Sequence, residues 1–197
     1  EIRLSLVGSE MCIRDRLITA FGASDSKHTT QTKNMDYING SLYLSGMMKG
    51  GFAPYGEEEA RIASKSTPLN GFVIKCDASN GEWLGGVSAD EQGIGGYFGV
   101  AKGKENNLYA YGYSWATPNK GICLTTIDES SWEKTEKIAL ITETGMGTAW
   151  SCLADGTNFY SFSRGNKAVN FYNSEFTLPA PTGWGMFISS WKLDDIA

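Results

Sequence analysis

Two short sequence elements alternate along this chain, and each of them occurs three times. The first is a polar turn that runs into an aromatic segment, at 39–46 (NGSLYLSG), 106–112 (NNLYAYG) and 156–162 (GTNFYSF). The second is a glycine, an alternating segment and an aspartate, at 71–77 (GFVIKCD), 121–128 (GICLTTID) and 185–194 (GMFISSWKLD). A recurring pattern of this kind means that one structural unit is built several times, which restricts the fold more than any single motif does.

Further recurring features set the register of the unit. Glycine-rich segments at 93–99 (GIGGYFG) and 145–150 (GMGTAW) precede the second and third aromatic segments. Trp83 and Trp132 follow the aspartates of the first two units. The unit is thus predicted to be strand, turn, strand, excursion, strand, turn and strand.

The composition favours an all-β fold of antiparallel strands. The chain has 24 glycines, 12% aromatic residues and five prolines, which suits many short strands joined by tight turns. The one segment with helical character, at 57–65 (EEEARIASK), is predicted to be an excursion between strands. Equivalent elements lie 50 to 66 residues apart, and a unit of four short strands with a period near 50 residues has the size of a β-propeller blade. Such a sheet buries its two faces by stacking on neighbouring sheets.

The run GFVIKCDASNGEW at 71–83, with LGG after it and NNLYAYGYSW at 106–115, resembles the seven-bladed β-propeller repeat family of secreted bacterial proteins. The resemblance covers residues 40–194 and is best over 71–115. It implies four-stranded antiparallel blades, about three of them, in an incomplete ring. It also implies that other propeller blades of a full-length chain are partners of this segment, and that the protein is extracellular or attached to the cell surface, with the periplasm as an alternative.

The first 16 residues are expected to be foreign to the protein. The segment LVGSEMCIRD at 6–15 matches the translation of a transposase adapter from a sequencing library. We therefore expect 1–16 to be an adapter-derived artefact and 17–197 to be a propeller-like repeat domain that is truncated. A signal peptide would have been lost with the natural start. The alternative is a natural N-terminal strand followed by a turn.

The charge and hydropathy of the chain predict neither a nucleic acid partner nor a membrane span. The chain has 17 Lys and Arg against 22 Asp and Glu, which gives a net charge of −5. Binding of a phosphate backbone requires clustered cations, so we expect no nucleic acid partner. No apolar run approaches the roughly 20 residues that cross a bilayer, so we expect no membrane span.

The cysteines and the single histidine predict neither a disulfide framework nor a metal site. Outside the prefix the cysteines are Cys76, Cys123 and Cys152, without a CxxC pair, so no metal or cofactor is expected and the three are predicted to be buried small hydrophobic residues. Aligning the aspartates of the three units places Cys76 opposite Ile127 and Leu193, which predicts a core position.

The candidate ligand-binding residues are aromatic. Tyr111, Tyr113 and Trp115 in YGYSW alternate onto one face of a strand. They form either a stacking platform for a sugar or protein partner or part of the packing between sheets, for which aromatic residues are well suited. Trp184 in PTGWG is a second candidate, on a loop.

No group of residues in the sequence predicts catalysis. His28 lies in a polar segment, and the SxxK pattern at 24–27 lacks the companion motifs of acylating serine enzymes. The glycines at 93–99 lack the spacing of a phosphate-binding loop and are expected to serve packing. Asp77 and Asp128 are expected to accept hydrogen bonds within their own turns.

The sequence therefore favours a non-catalytic binding or scaffold module that recognises a protein or glycan through its loops. One alternative is a glycan hydrolase or lyase with a pair of carboxylates in a propeller channel. The other is a purely structural repeat between further domains. The fold class alone does not choose among them.

Overall fold

The computed structural model describes residues 21–23, 29–54, 57, 59–64, 69–89, 93–115, 120–143 and 147–196. Apart from one helical turn, the regular elements in these ranges are β-strands, and all pairs of neighbouring strands are antiparallel. The all-β prediction is confirmed. The proposed artefact at 1–16, His28 and the SxxK segment at 24–27 lie outside the described residues.

The elements follow the alternating pattern of the sequence. They are β1 (Phe21–Ala23), β2 (Thr29–Ile38), β3 (Ser41–Lys49), β4 (Gly51–Pro54), β5 (Ile62–Ala63), β6 (Asn70–Asp77), β7 (Trp83–Ser88), β8 (Ile94–Lys102), β9 (Asn107–Ser114), β10 (Gly121–Asp128), β11 (Lys134–Glu143), β12 (Gly147–Ala154), β13 (Asn158–Gly165), β14 (Val169–Phe171), β15 (Thr177–Leu178), β16 (Gly185–Lys192) and α1 (Leu193–Ile196).

Three sheets contain the repeated elements. The first sheet has the order β2-β3-β6-β7, the second β8-β9-β10-β11-β14-β15, and the third β12-β13-β16. Four strands in succession, each paired with the next, are therefore present in the first sheet and in the first part of the second. The third sheet has three strands, and the excursion between β13 and β16 adds β14 and β15 to the second sheet instead.

The excursion in the first unit is also built from strands. Between β3 and β6 the chain forms β4 and β5, which pair with each other, and β4 pairs with β1. Phe52 and Ile62 from this small sheet pack on Phe72 and Ile74 of the first sheet. The predicted excursion at 57–65 is thus confirmed for its described residues, and it covers part of one face of the first sheet.

The strand register of the third unit differs from the alignment of the aspartates. Asp77 and Asp128 each pair with the first residue of the preceding aromatic strand. In the third sheet the first residue of β13, Asn158, pairs with Lys192 rather than with Asp194. Asp194 lies two residues further on, inside α1, because the chain leaves the sheet after Lys192.

This shift changes one predicted equivalence. Cys76 is buried, and Ile127 is its equivalent in β10, as predicted. The third equivalent is Trp191, the last residue before Lys192, and the prediction of Leu193 at this position was wrong. Leu193 is nevertheless buried, because α1 packs it into the same core.

The sheets stack face to face, so β8, β9 and β10 of the second sheet bury both of their faces. On β9, Leu108 and Ala110 point towards the first sheet, whereas Tyr109 and Tyr111 point towards the third. Since side chains alternate along a strand, a strand that is apolar on both faces needs a neighbour on each side. The sequence pattern therefore specifies the stacking as well as the strands.

Close approach between the first and second sheets depends on Gly71. A Cβ atom on Gly71 would lie 2.8 Å from the ring of Tyr97 and 3.1 Å from its backbone nitrogen. Tyr97 is fully buried in the layer between the two sheets. Neither the ring nor the strand backbone has room to retreat, since protein interiors are close-packed.

We expect Gly71→Ala to lower the free energy of unfolding by about 1 to 3 kcal/mol, because it overpacks this layer. Gly183→Ala is the matched control, since its Cβ would meet no atom within 4 Å, and a change below about 0.5 kcal/mol is expected. Urea denaturation followed by tryptophan fluorescence measures both. Equal stability of the two variants would contradict the close packing at Gly71.

Candidate functional site

The strand connections of the second and third sheets lie at the same end of the stack. The hydroxyl groups of Tyr111 and Ser163 are hydrogen-bonded, and the rings of Tyr109 and Phe159 lie 6.3 Å apart. Strands β9 and β13 therefore run in the same direction. The ends of β9 and β13, at Ser114 and Gly165, consequently lie at the same end of the stack.

The structure separates the three aromatic residues of YGYSW. Tyr111 and Tyr113 share one face of β9, as predicted, and both are buried between the second and third sheets. Trp115 follows the last residue of β9 and is exposed. Tyr111 and Tyr113 pack the interior, so Trp115 is the residue of this group that offers a surface to a ligand.

Trp115 is held in place by three contacts. Its ring stands edge-on to that of Tyr113, with 4.6 Å between centroids. Its backbone N–H donates a hydrogen bond of 2.9 Å to the carbonyl of Gly93. Its indole lies directly over Gly95, where a Cβ atom would come within 1.8 Å of the indole nitrogen. The glycine-rich segment thus serves packing, as predicted, and provides a rigid seat for an exposed aromatic ring.

Trp184, the fourth candidate, lies in the neighbouring connection next to a cation. The guanidinium of Arg164 lies 4.2 Å from the centroid of the Trp184 ring and 5.7 Å from that of Trp150. Both indoles are about half exposed. The Nε of Arg164 is buried and has no hydrogen-bond partner in the described part of the chain. Such a group can stack on a ring and donate a hydrogen bond to an acceptor beside it.

Sequence reasoning missed Arg164 and Trp150. Strand register makes Arg164 of the third sheet the equivalent of Tyr113 in the second sheet. The repeat therefore has a cation at a position where the preceding sheet has a buried aromatic residue. Trp150 is the extra residue of a bulge between Ala149 and Ser151. A bulge redirects a side chain out of the regular alternation, and no sequence pattern indicated one here.

The strongest polar cluster lies at the opposite end, between the first and second sheets. Glu129 accepts hydrogen bonds from the hydroxyl of Tyr43 and the ammonium groups of Lys75 and Lys102, the last at 2.6 Å. Burial alone would raise the pKa of Glu129, but these three donors outweigh it and hold the pKa at about 2. A carboxylate so fully occupied is a poor proton acceptor and acts as a clamp between sheets.

The remaining carboxylates that sequence analysis singled out accept hydrogen bonds within their turns. Asp77 accepts from the backbone N–H of Ser79 at 2.7 Å, and Asp128 accepts from that of Ser130 at 2.8 Å. The hydrogen bonds lower the pKa of both aspartates. Their predicted structural role is confirmed. Among the described residues, no three His, Cys, Asp or Glu side chains come together as metal ligands would.

Cys76, Cys123 and Cys152 are buried, as predicted, and are not joined by disulfides. Burial raises the pKa of Cys76 and Cys123 to about 11 and also raises that of Cys152. Because the thiolate is the reactive form of cysteine, these thiols are unreactive at neutral pH. They fill core space as small hydrophobic residues do.

No family model matches the chain, and no curated protein has a significant sequence similarity to it. The resemblance to seven-bladed propeller repeats therefore stays a prediction. In the described residues, no helix is long and apolar enough to cross a membrane.

The Glu129 clamp makes stability depend on pH. Its folded-state pKa lies below the ordinary value of 4.5, so its contribution is complete above that value and is lost as the pH falls through about 2. We expect Glu129→Gln to cost about 1 to 3 kcal/mol at neutral pH and to remove this part of the acid dependence.

Urea denaturation at neutral pH and near pH 3 measures the effect. Glu133→Gln, which changes an exposed glutamate close to the same turn, is the control and is expected to behave as the unchanged chain does. If Glu129→Gln and the unchanged chain lose the same stability on acidification, the clamp does not exist in solution.

Proposed function

We propose that this chain is a β-propeller-type repeat segment that acts as a non-catalytic binding module of a secreted or cell-surface bacterial protein. It holds a glycan, or failing that a protein partner, at the end of the stack where Trp115 and Trp184 lie. The propeller interpretation is supported by the sequence resemblance and by the stacking of successive antiparallel sheets in one direction, as blades stack around an axis.

The observation that carries the proposal is the pair of exposed, fixed indoles on adjacent connections. Trp115 is seated on Gly95 and Tyr113, and Trp184 is stacked on Arg164. Exposed tryptophans held in one orientation lose little conformational freedom on binding, so they bind flat apolar surfaces efficiently. The faces of sugar rings are such surfaces, and the guanidinium of Arg164 supplies a donor for hydroxyl or carboxylate oxygens.

The alternative of a glycan hydrolase or lyase requires a pair of carboxylates in a channel. In a propeller the first strand of each blade lines the channel, and here these strands are β2, β8 and β12. Within their described residues Asp36 is the one acidic side chain. Its carboxylate already accepts hydrogen bonds from the backbone N–H of Val100 at 2.9 Å and from the amide of Asn34. One carboxylate that already accepts hydrogen bonds does not provide the pair that hydrolysis requires, and this favours the non-catalytic proposal.

The alternative of a purely structural segment predicts no ligand at all. It gives no reason for Trp115 and Trp184 to be exposed, since a linker between domains gains solubility from polar connections. Binding by the isolated chain distinguishes the two proposals directly.

We expect Trp115→Ala and Trp184→Ala each to weaken binding of a captured ligand by about tenfold or more, because aromatic anchors dominate such interfaces. A glycan array identifies the ligand, and isothermal titration with the strongest glycan measures the change. Leu84→Ala is the control, since Leu84 is an exposed apolar residue on the outer strand β7 of the first sheet.

A protein ligand is tested in parallel by pull-down from an extracellular bacterial fraction with the same variants. If neither the array nor the pull-down yields a ligand that depends on the two tryptophans, the binding proposal is wrong and the structural alternative replaces it.

A further inference from the structure

The third sheet exposes positions that its predecessors bury. We call the face of a sheet that points towards the next sheet in chain order its following face, and the other its preceding face. On the following face of the second sheet, Ile122 and Leu124 are each 1% exposed. Strand register places Met186 and Ile188 at the same positions of the third sheet, where they are 75% and 77% exposed.

The first strand of the third sheet shows the same difference. Leu153 is the equivalent of Ala101, because both lie on the first strand opposite equivalent tyrosines of the second strand. Ala101 is 3% exposed, whereas Leu153 is 58% exposed. Exposed apolar side chains that adjoin one another in a sheet mark an interaction surface.

The first sheet exposes the complementary positions on its preceding face. Met35 of β2 is the equivalent of Val100 in β8 and of Cys152 in β12. Val100 and Cys152 are buried, whereas Met35 is 60% exposed, and Tyr37 beside it is exposed as well. The chain therefore carries an uncovered following face on the third sheet and a preceding face on the first sheet that is uncovered at β2, whereas Phe52 and Ile62 cover Phe72 and Ile74 on the rest of it.

Within the chain, the following face of one sheet packs against the preceding face of the next sheet in the same way each time. The first strand of each later sheet lies on the following face of the earlier one, β8 against the first sheet and β12 against the second. Ala101 and Cys152 belong to the same buried layer between the second and third sheets. If the first sheet of another chain packed on the third sheet in the same way, its Met35 would lie against Leu153.

We propose that the occupant of the uncovered faces is a second copy of this chain, bound head to tail. The third sheet of each copy packs its Leu153, Met186 and Ile188 against Met35 and Tyr37 of the other. Two copies then contain six stacked sheets, a number within the four to eight blades of propeller rings. We infer that the assembly closes after two copies, which requires the rotation from sheet to sheet to complete a ring; a head-to-tail contact whose rotation does not close grows into a fibre instead. This inference uses the sheet faces, and its contact adjoins the tryptophan site at one place, because Met186 pairs with Arg164.

Light scattering coupled to gel filtration tests the assembly on the full chain. We expect a mass of twice the 21.4 kDa of the chain. Leu153→Lys and Ile188→Lys, both at exposed positions, are expected to shift the mass to that of one chain. Leu84→Lys, at an exposed leucine on the outer strand β7, is the matched control and keeps the doubled mass. An unchanged chain that stays a monomer up to micromolar concentration would overturn the proposal, and would leave a further sheet of a longer protein as the occupant.

Disulfide trapping tests the head-to-tail geometry. Met35→Cys and Leu153→Cys variants are prepared separately, then mixed in urea, refolded together and exposed to oxidised glutathione. We expect a cross-linked dimer in the mixture and little in either variant alone, because position 35 meets position 153 and not itself. The same procedure with Ser79→Cys, on an exposed turn, controls for random collision. Cross-linking of one variant with itself as efficiently as in the mixture would overturn the head-to-tail arrangement.

Discussion

The burial of both faces of the second sheet is the constraint on which the rest of this structure depends. Leu108 and Tyr109 are neighbours in β9, point in opposite directions and are both fully buried. A single sheet cannot bury both, so the sheets have to stack, and the stacking sets the direction of every strand. That common direction brings the connections carrying Trp115 and Trp184 to one end. The candidate site is thus a consequence of packing elsewhere.

The two interfaces between sheets differ in chemistry, although they have the same geometry. Glu129 clamps the first interface by accepting from Tyr43 and two lysines. At the second interface Leu193 follows the Asp128-equivalent Lys192 and so takes the place of Glu129. Tyr109, the equivalent of Tyr43, has a buried hydroxyl without a hydrogen-bond partner in the described residues. Leu193 offers no acceptor. If the first sheet packed against Leu193 instead of Glu129, the hydroxyl of Tyr43 would therefore be buried without a hydrogen-bond partner.

Much of the fold could be predicted from the sequence because alternation and turn residues act locally. The strands, the turns at Asp77 and Asp128 and the buried cysteines follow from such local rules. The register of the third unit could not be predicted, since Asp194 lies close to the expected spacing and only the pairing of Asn158 with Lys192 decides it. Non-local pairing also places β14 and β15 on the second sheet, and the bulge that exposes Trp150 depends on its partner strand.

Exposed apolar residues in this chain have two origins, which the repeat distinguishes. On the sheet faces an exposed residue has apolar, buried equivalents, as Ile188 has in Leu124, so its exposure reflects a missing neighbour. In the connections the equivalents are polar. Trp115 corresponds to Asn166, and Trp184 corresponds to Lys120. Packing between sheets therefore does not require a tryptophan at either place. The faces repeat because stacking demands it, whereas the connections differ from unit to unit, and this freedom is what allows them to carry a binding site.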